Sequence, residues 1–348
     1  MASDGTDDHS SDLFHQYGYP VLPMLQCLLP LLLLLQLLAL PATAATIMVV
    51  DSYADDFAWV RNYQRGLREV LRQHQLINIE LDTKKIAPAA FAEAADRAFE
   101  RIRSERPALV ILADDNATQL LGKRVADLGL PLVYLGVNGN PRTYDLPLSR
   151  QVTGVLERPL FRRAILSLRD FMTPAPTRVL VLFDDSETSN RILSDELSPQ
   201  RLILLPGMHV DVTQCDSQEC WQQAVSSSQQ RGYQAIVVGL YQTLRAKGGQ
   251  PVRDEDVARW THNHSPLPAF ALWDFSVGSD QLIGGLVMSG REQGREAGKR
   301  ALMLLSGFDV TSLPSTPDQG QLLFSRAALA RWKVQLPARI AQHASFIE

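Results

Sequence analysis

Short β-branched runs alternate with longer amphipathic stretches along most of the chain, and this alternation constrains the fold more than any other feature. The first run is Thr46–Val50, and the first amphipathic stretch, Trp59 to His74, has apolar residues spaced three and four apart. Strands separated by helices form βαβ units and parallel sheets. The alternation occurs as two series, and the second begins with a predicted helix at Pro159–Met172. It therefore predicts an α/β protein with two doubly wound parallel-sheet lobes.

Polar and aromatic clusters follow the predicted strands. In doubly wound sheets, ligands bind beyond the carboxyl ends of the strands. Two lobes whose strand ends face each other enclose a cleft, where small-molecule sites tend to lie. We therefore expect these clusters to line one ligand site: Asp51-Ser52-Tyr53, Asp82-Thr83-Lys84, Asp114-Asp115-Asn116, Gly136-Val137-Asn138, Asp184-Asp185-Ser186, Leu240-Tyr241 and Trp273-Asp274.

Eight residues in or near these clusters are the predicted ligand contacts. Hydroxyl, amide and carboxylate groups would orient the ligand, and the rings would supply contact area. This mixture suits a sugar, a nucleoside or an amino-acid-like molecule. The predicted contacts are Ser52, Tyr53, Trp59, Asp115 and Asn138 in the first lobe, and Asp185, Tyr241 and Trp273 in the second.

Two of these predictions have structural alternatives. Trp59 begins the first predicted helix, where it either stacks on a ligand or packs in the core. In Asp114-Asp115-Asn116, Asp115 or Asn116 is expected to cap the next helix, and the other is left for ligand contact. Glycines at positions 290, 294 and 298 predict close packing of a helix rather than a special backbone site, since glycine destabilises a helix interior.

Enzyme signatures are missing from the sequence. It has no G-x-S-x-G elbow, no Walker loop, and no G-x-G-x-x-G after the first strand. His262 and His264 form the nearest approach to a metal-ligand pair, and we interpret them as solvated loop histidines. We therefore predict no catalytic residues, no metal, no cofactor and no enzymatic activity. An exported α/β hydrolase is the disfavoured alternative.

The first 44 residues read as a leader. Residues Val21 to Leu40 are almost wholly apolar, and Ala42-Thr43-Ala44 follows as a small-x-small cleavage pattern. Because residues 1–20 contain no lysine or arginine, we predict that translation starts at Met24. Cleavage near Ala44 would release the protein to the periplasm; an uncleaved segment would anchor it in the membrane.

The predicted compartment bears on the charges and the cysteines. The leader holds four aspartates and no lysine or arginine, so the remaining chain has equal numbers of acidic and basic residues. This balance disfavours a nucleic-acid partner.

Cys215 and Cys220 are close enough in sequence for a small-loop disulfide in an oxidising compartment, with two reduced thiols as the alternative.

Several of these segments, in this order, resemble the ABC-transporter substrate-binding proteins of the poorly characterised periplasmic type. The likeness covers nearly all of the chain after the leader. It rests on these segments: Ser52-Tyr53 with Trp59 and Gly66, Glu80 to Lys85, Asp114 to Ala117, Pro131 to Asn138, Val152 to Val155, and Gly284 to Val287 followed by Gly294.

The resemblance implies a type I periplasmic-binding-protein fold with a three-segment hinge. The crossings are expected near Thr153, Gly284 and Asp318. The N-terminal lobe would then comprise residues 46–153 and 285–318, and the C-terminal lobe residues 154–284 and 319–348.

The resemblance also implies a role. The protein would capture a small molecule between its lobes and deliver it to the membrane permease of an ABC importer. A sensory partner of a separate membrane kinase or cyclase is the alternative, while the leader and the missing DNA-reading helices disfavour a cytoplasmic repressor. Replacing Tyr53 or Trp273 by alanine is expected to weaken binding without unfolding the protein.

Overall fold

The computed structural model describes residues 44–147, 149–158, 160–196, 202–308, 310 and 320–348. Ala45–Glu348 forms one compact unit. The predicted signal peptide, the proposed start at Met24 and the predicted crossing near Asp318 lie outside the described residues.

The first sheet has five strands, all parallel, in the order β2-β1-β3-β4-β5. Its central strands are buried on both faces because helices cover each side. Alternate side chains pack against α1 and α8 on one face, and against α2 and α3 on the other. The elements are β1 (Thr46–Asp51), α1 (Ala58–Val70), β2 (Gln75–Glu80), α2 (Phe91–Glu105), β3 (Leu109–Ala113), α3 (Asp114–Asp127), β4 (Leu132–Val137), β5 (Val152–Leu156) and, later in the chain, α8 (Gly290–Leu305).

The second sheet also has five strands, in the order β10-β9-β6-β8-β7. Four are parallel, as predicted, and β7 runs antiparallel to β8 at one edge. Helices α4 and α5 pack on one face, and α6 and α7 on the other. The elements are α4 (Phe161–Phe171), β6 (Arg178–Asp184), α5 (Glu187–Glu196), β7 (Leu202–Leu205), β8 (Met208–Cys215), α6 (Gln218–Ser227), β9 (Ala235–Val238), α7 (Asp254–His264) and β10 (Ala269–Ala271).

A small third sheet carries the end of the chain. Strand β12 pairs antiparallel with β11 and parallel with β13. The elements are β11 (Gly284–Val287), β12 (Gln321–Ser325), α9 (Arg326–Trp332), α10 (Ala338–Ala341) and β13 (Ser345–Ile347).

The chain passes between the two large sheets more than once. It leaves the first sheet after β5 and returns to it after β11, when α8 packs against α1. We call the first sheet with α1–α3 and α8 lobe 1, and the remaining elements lobe 2. Thr153 and Gly284, where crossings were expected, lie inside strands β5 and β11. The exact domain boundaries stay a prediction.

Helices α1 and α8 make the close contact that the glycine spacing predicted. A methyl group on Gly66 would lie 2.0 Å from the carbonyl oxygen of Arg291, and one on Gly294 would lie 1.9 Å from that of Tyr63. Each glycine therefore faces the backbone of the other helix. At the rim, Glu69 forms ion pairs with Arg291 and Arg295. The prediction of close helix packing is confirmed.

Two further features complete the fold. Cys215 and Cys220 are joined by a disulfide bond, with their Cα atoms 5.5 Å apart. Among the described residues, no helix combines the length and the apolar character needed to cross a membrane.

Candidate functional site

A cavity lies between the carboxyl ends of the two large sheets. The centre of a water-sized sphere can occupy about 30 Å³ of it, so the cavity is narrow. Every strand of the first sheet is followed by a lining residue, as are β6, β9 and β10 of the second. The walls are formed by Tyr53, Phe57, Trp59, Lys84, Asp114, Asn138 and Glu157 from lobe 1 and the adjoining crossing, and by Thr188, Leu240, Gln242, Trp273 and Phe275 from lobe 2.

Asp114 is the first residue of α3 and carries its carboxylate into the cavity wall. Its φ of 68° places it in the left-handed region, which aspartate tolerates better than most residues. One carboxylate oxygen accepts a hydrogen bond from the indole nitrogen of Trp59, at 3.0 Å. The other oxygen, Oδ2, is buried and has no protein partner.

Glu157 follows β5, where the chain leaves lobe 1. Its Oε1 accepts a hydrogen bond from the indole of Trp273 at 2.6 Å, and its Oε2 accepts one from the amide of Asn138 at 3.1 Å. Because Trp273 belongs to lobe 2 and Asn138 to lobe 1, this carboxylate links the two lobes. The bond to Glu157 also fixes the orientation of the Asn138 amide, so its buried Oδ1 remains without a partner.

Lys84 is the single cation among the described residues that line the cavity. Its ammonium group lies 4.3 Å from the ring centroids of both Tyr53 and Phe57, a cation–π arrangement. Burial lowers its pKa, while the nearby carboxylates of Asp184 and Asp114 oppose that change.

Burial raises the pKa of both lining carboxyl groups. The pKa of Glu157 rises to about 7, although hydrogen bonds from Trp273 and Asn138 oppose the rise. The pKa of Asp114 rises well above its usual range because of burial and the proximity of Glu157. Burial in the cavity wall therefore disfavours two ionised carboxylates, and a positively charged group would stabilise them.

Four of the eight predicted contacts line the cavity: Tyr53, Trp59, Asn138 and Trp273. Trp59 does so while also packing edge-on against Tyr63 in the core, whereas its stacking on a ligand stays a prediction. The contribution of these four residues to binding stays a prediction.

Ser52 and Tyr241 lie outside the cavity lining. The hydroxyl of Ser52 donates to Ala113 O at 2.6 Å and accepts from Ala117 N at 2.8 Å, so it joins β1 to the start of α3. The hydroxyl of Tyr241 is buried against that of Ser276, at 2.9 Å. Both side chains have their polar groups satisfied within the protein.

Asp115 and Asp185 are also outside the lining. Asp115 accepts hydrogen bonds from the backbone amides of Asn138 and Gly139, at 3.1 and 2.8 Å. Arg191 of lobe 2 lies 3.5 Å from the same carboxylate. Asp185 is exposed, whereas its neighbour Asp184 is buried and accepts from two serines. In the Asp114-Asp115 pair, therefore, Asp114 is the residue on the cavity wall, and neither aspartate is the N-cap of α3.

In the described part of the chain, no three histidine, cysteine or acidic side chains form a group that could hold a metal ion. His262 and His264 lie in the last turn of α7 rather than in a loop. His262 bonds to the carbonyl of Gln281, and His264 stacks on Trp260 at 4.5 Å.

Comparison with known proteins identifies the architecture. No protein-family model and no curated protein matches this chain. It is similar to the structure of an ABC domain in complex with L-Trp from Streptococcus pneumoniae, with a TM-score of 0.62 and 14% identity over 88% of this chain and 100% of that one. The chain has the type I periplasmic-binding-protein fold.

Other proteins with the type I fold show how widely it is used. A ligand-free, open substrate-binding protein with adhesive properties from Clostridium difficile has a TM-score of 0.59 and 13% identity, over 88% of this chain and 99% of that one. A probable maltose operon repressor from Staphylococcus aureus has a TM-score of 0.52 and 10% identity, over 78% and 94%. The type I fold therefore does not by itself fix the role of a protein that has it.

We expect the protein to be more stable at pH 5 than at pH 8. Burial raises the pKa of Asp51 and Asp274 to about 6 and that of Glu157 to about 7. Between the unfolded values near 4 and these folded values, the folded protein binds more protons, so stability falls as pH rises. The melting temperature should be higher at pH 5 by roughly 5 °C or more.

A matched pair of variants tests whether Glu157 causes part of this pH dependence. Glu157→Gln should flatten the change in melting temperature between pH 6 and pH 8, whereas Glu105→Gln, on an exposed side chain, should leave it intact. A melting temperature that increases steadily from pH 5 to pH 8 would contradict the prediction.

Proposed function

We propose that the protein is an exported solute-binding protein, without enzymatic activity, that captures a small molecule in the cavity and delivers it to the permease of an ABC importer. The observation that carries this proposal is the cavity itself, whose walls are formed by side chains from the strand ends of both lobes. A ligand there contacts both lobes only when they are closed, so its binding energy favours the closed arrangement.

Direct contacts between the lobes support this mechanism. Asn62 of lobe 1 donates a hydrogen bond to Asp274 of lobe 2 at 3.2 Å, and Arg191 of lobe 2 bonds to the hydroxyl of Tyr144 at 3.3 Å. Both contacts would break if the lobes separated. The ligand adds further interactions to the same closed state, and the closed surface is what a permease would recognise.

The export part of the proposal rests on the apolar leader and the small-x-small pattern. Cell fractionation tests it: a processed protein of the size expected for cleavage near Ala44 should appear in the periplasmic fraction. Loss of uptake of the identified ligand in cells that lack the gene would establish delivery to an importer.

A thermal-shift screen tests ligand capture. The purified protein would be mixed with amino acids, amines, sugars, nucleosides and small anions. A ligand at 100 times its dissociation constant should add about 2.7 kcal/mol to the free energy of unfolding. A screen in which no compound raises the melting temperature would contradict the proposal, and chemical turnover of a bound compound would indicate an enzyme instead.

A further inference from the structure

Two polar atoms of the residues that line the cavity lack a hydrogen-bond partner, and both are acceptors when Asp114 is ionised. Asp114 is 3% exposed and Asn138 is 8% exposed, and Asp114 Oδ2 and Asn138 Oδ1 have no partner within the protein. Buried polar atoms are almost always satisfied in native proteins, so unsatisfied ones in a cavity indicate where a ligand binds. An acceptor can be satisfied only by a donor, so the bound group must carry N–H or O–H hydrogens.

The charge of the wall indicates what kind of donor this is. Asp114 and Glu157 place two carboxylates on the lining, against the single ammonium of Lys84. Burial penalises ionisation of both acids, and the proximity of Glu157 adds to the penalty at Asp114. A cationic donor relieves that penalty, whereas a neutral hydroxyl does not. A protonated amine therefore fits Asp114 Oδ2 better than the hydroxyl of a sugar.

The rest of the lining suits an apolar body attached to that amine. Five aromatic rings face the cavity: Tyr53, Phe57 and Trp59 from lobe 1, and Trp273 and Phe275 from lobe 2. Trp273 and Phe275 are stacked with centroids 6.2 Å apart, and Trp59 meets Phe275 edge-on at 6.4 Å. Rings attract ammonium groups as well as apolar groups, as the position of Lys84 over Tyr53 and Phe57 already shows.

We propose that the ligand of this cavity is an organic amine, with its protonated amino group bound by Asp114 Oδ2 and Asn138 Oδ1 and its apolar body held among the five rings. This inference rests on the proposed function and names the chemical class of its ligand. Lys84 distinguishes two sources of such an amine. An amino acid would also place its own carboxylate near Lys84, whereas a simple amine would bring no anionic group to Lys84.

The test uses matched probes that share a body and differ in their charged groups. The amines are phenethylamine, tryptamine and isoamylamine, the amino acids are phenylalanine, tryptophan and leucine, and the acids without an amine are phenylpropionate, indolepropionate and isocaproate. Thermal shift followed by calorimetry should show binding of at least one amine or amino acid and none by the acid with the same body. Binding of an acid as tightly as its matched amine would overturn the inference.

Variants then locate the amino group. Asp114→Asn keeps the acceptor for Trp59 and removes the charge, so the affinity for the amine probe should fall about tenfold or more. Asp145→Asn makes the same change on an exposed aspartate that also has a left-handed φ and lies outside the cavity lining, so it should leave the affinity unchanged. If Asp114→Asn fails to fold, the affinity of the Glu157→Gln protein for the amine probe tests instead whether a lining carboxylate stabilises the bound amino group. Unchanged affinity in a folded Asp114→Asn protein would overturn the inference.

Lys84→Met distinguishes an amino-acid ligand from a simple amine. The substitution should weaken the binding of an amino acid, and the affinity for the matched simple amine should stay unchanged or increase. If the general screen finds a sugar, nucleoside or anion while no amine or amino acid binds, the inference fails and the proposed function stands. If no compound of any class binds, the proposed function fails as well.

Discussion

Trp273→Phe is expected to lower the affinity for the cavity's ligand by about thirtyfold or more. The substitution shortens one wall of the cavity and removes the indole N–H that donates to Glu157 at 2.6 Å. Glu157 then loses one of its two side-chain hydrogen bonds, and its link to lobe 2 is broken. Isothermal titration with the tightest-binding compound from the screen measures the effect.

Phenylalanine is preferred to alanine here because of where Trp273 lies. The side chain is only 1% exposed and packs edge-on against Phe183, at 6.2 Å. Removing a buried tryptophan costs about 3–5 kcal/mol, so Trp273→Ala is expected to destabilise the protein markedly. This differs from the expectation drawn from the sequence, which placed Trp273 at a strand end but could not show its burial.

Trp221→Phe is the matched control. Trp221 is equally buried, and its indole donates to the hydroxyl of Thr261 at 2.9 Å, but it lies outside the cavity lining. Both variants should lose stability, and only Trp273→Phe should lose affinity. Equal affinities in the two proteins would mean that the cavity is not the ligand site.

Gly294→Ala is expected to lower the melting temperature by about 5–10 °C. The added methyl group would lie 1.9 Å from the carbonyl oxygen of Tyr63, a backbone atom that cannot rotate away. Helices α1 and α8 must then separate, which opens the packing on one face of the first sheet. Differential scanning calorimetry of the purified variant measures the loss.

Two further variants make this prediction specific. Gly278→Ala adds the same methyl group where the nearest atoms belong to the side chain of Gln281, so its melting temperature should be nearly unchanged. Gly66→Ala combined with Gly294→Ala should cost less than the sum of the single changes, because one displacement of the helices accommodates both methyl groups. Full additivity, or a stable Gly294→Ala protein, would contradict the close contact described here.

The sequence predicted the elements whose pattern is unambiguous. Strand β1 is apolar between Thr46 and Asp51 and precedes a clear helix, so the run Thr46–Val50 predicted its position nearly to the residue. Helix α7 was missed because Asp254–His264 is rich in charged and polar residues. Strand β7 was missed because an antiparallel edge strand interrupts the βαβ order on which the prediction relied.

The same reasoning explains which parts of the site were found. Tyr53, Asn138 and Trp273 each follow a predicted strand, so the rule about strand ends selected them. Glu157 was missed because β5 was not predicted as a strand, and its carboxyl end was therefore not searched. The choice between Asp114 and Asp115 depends on the left-handed φ of Asp114, which the sequence does not reveal.

The pairing of α1 with α8 also determines when the protein can finish folding during its synthesis. Arg291 and Glu69, which bond across this pair, are 222 residues apart in sequence. Lobe 1 therefore lacks one of its covering helices until nearly the whole chain has left the ribosome, and an apolar face of the first sheet stays open to solvent until then. Such a delay keeps the nascent chain in a form that chaperones recognise, so premature termination before Gly290 should yield insoluble fragments rather than a functional half.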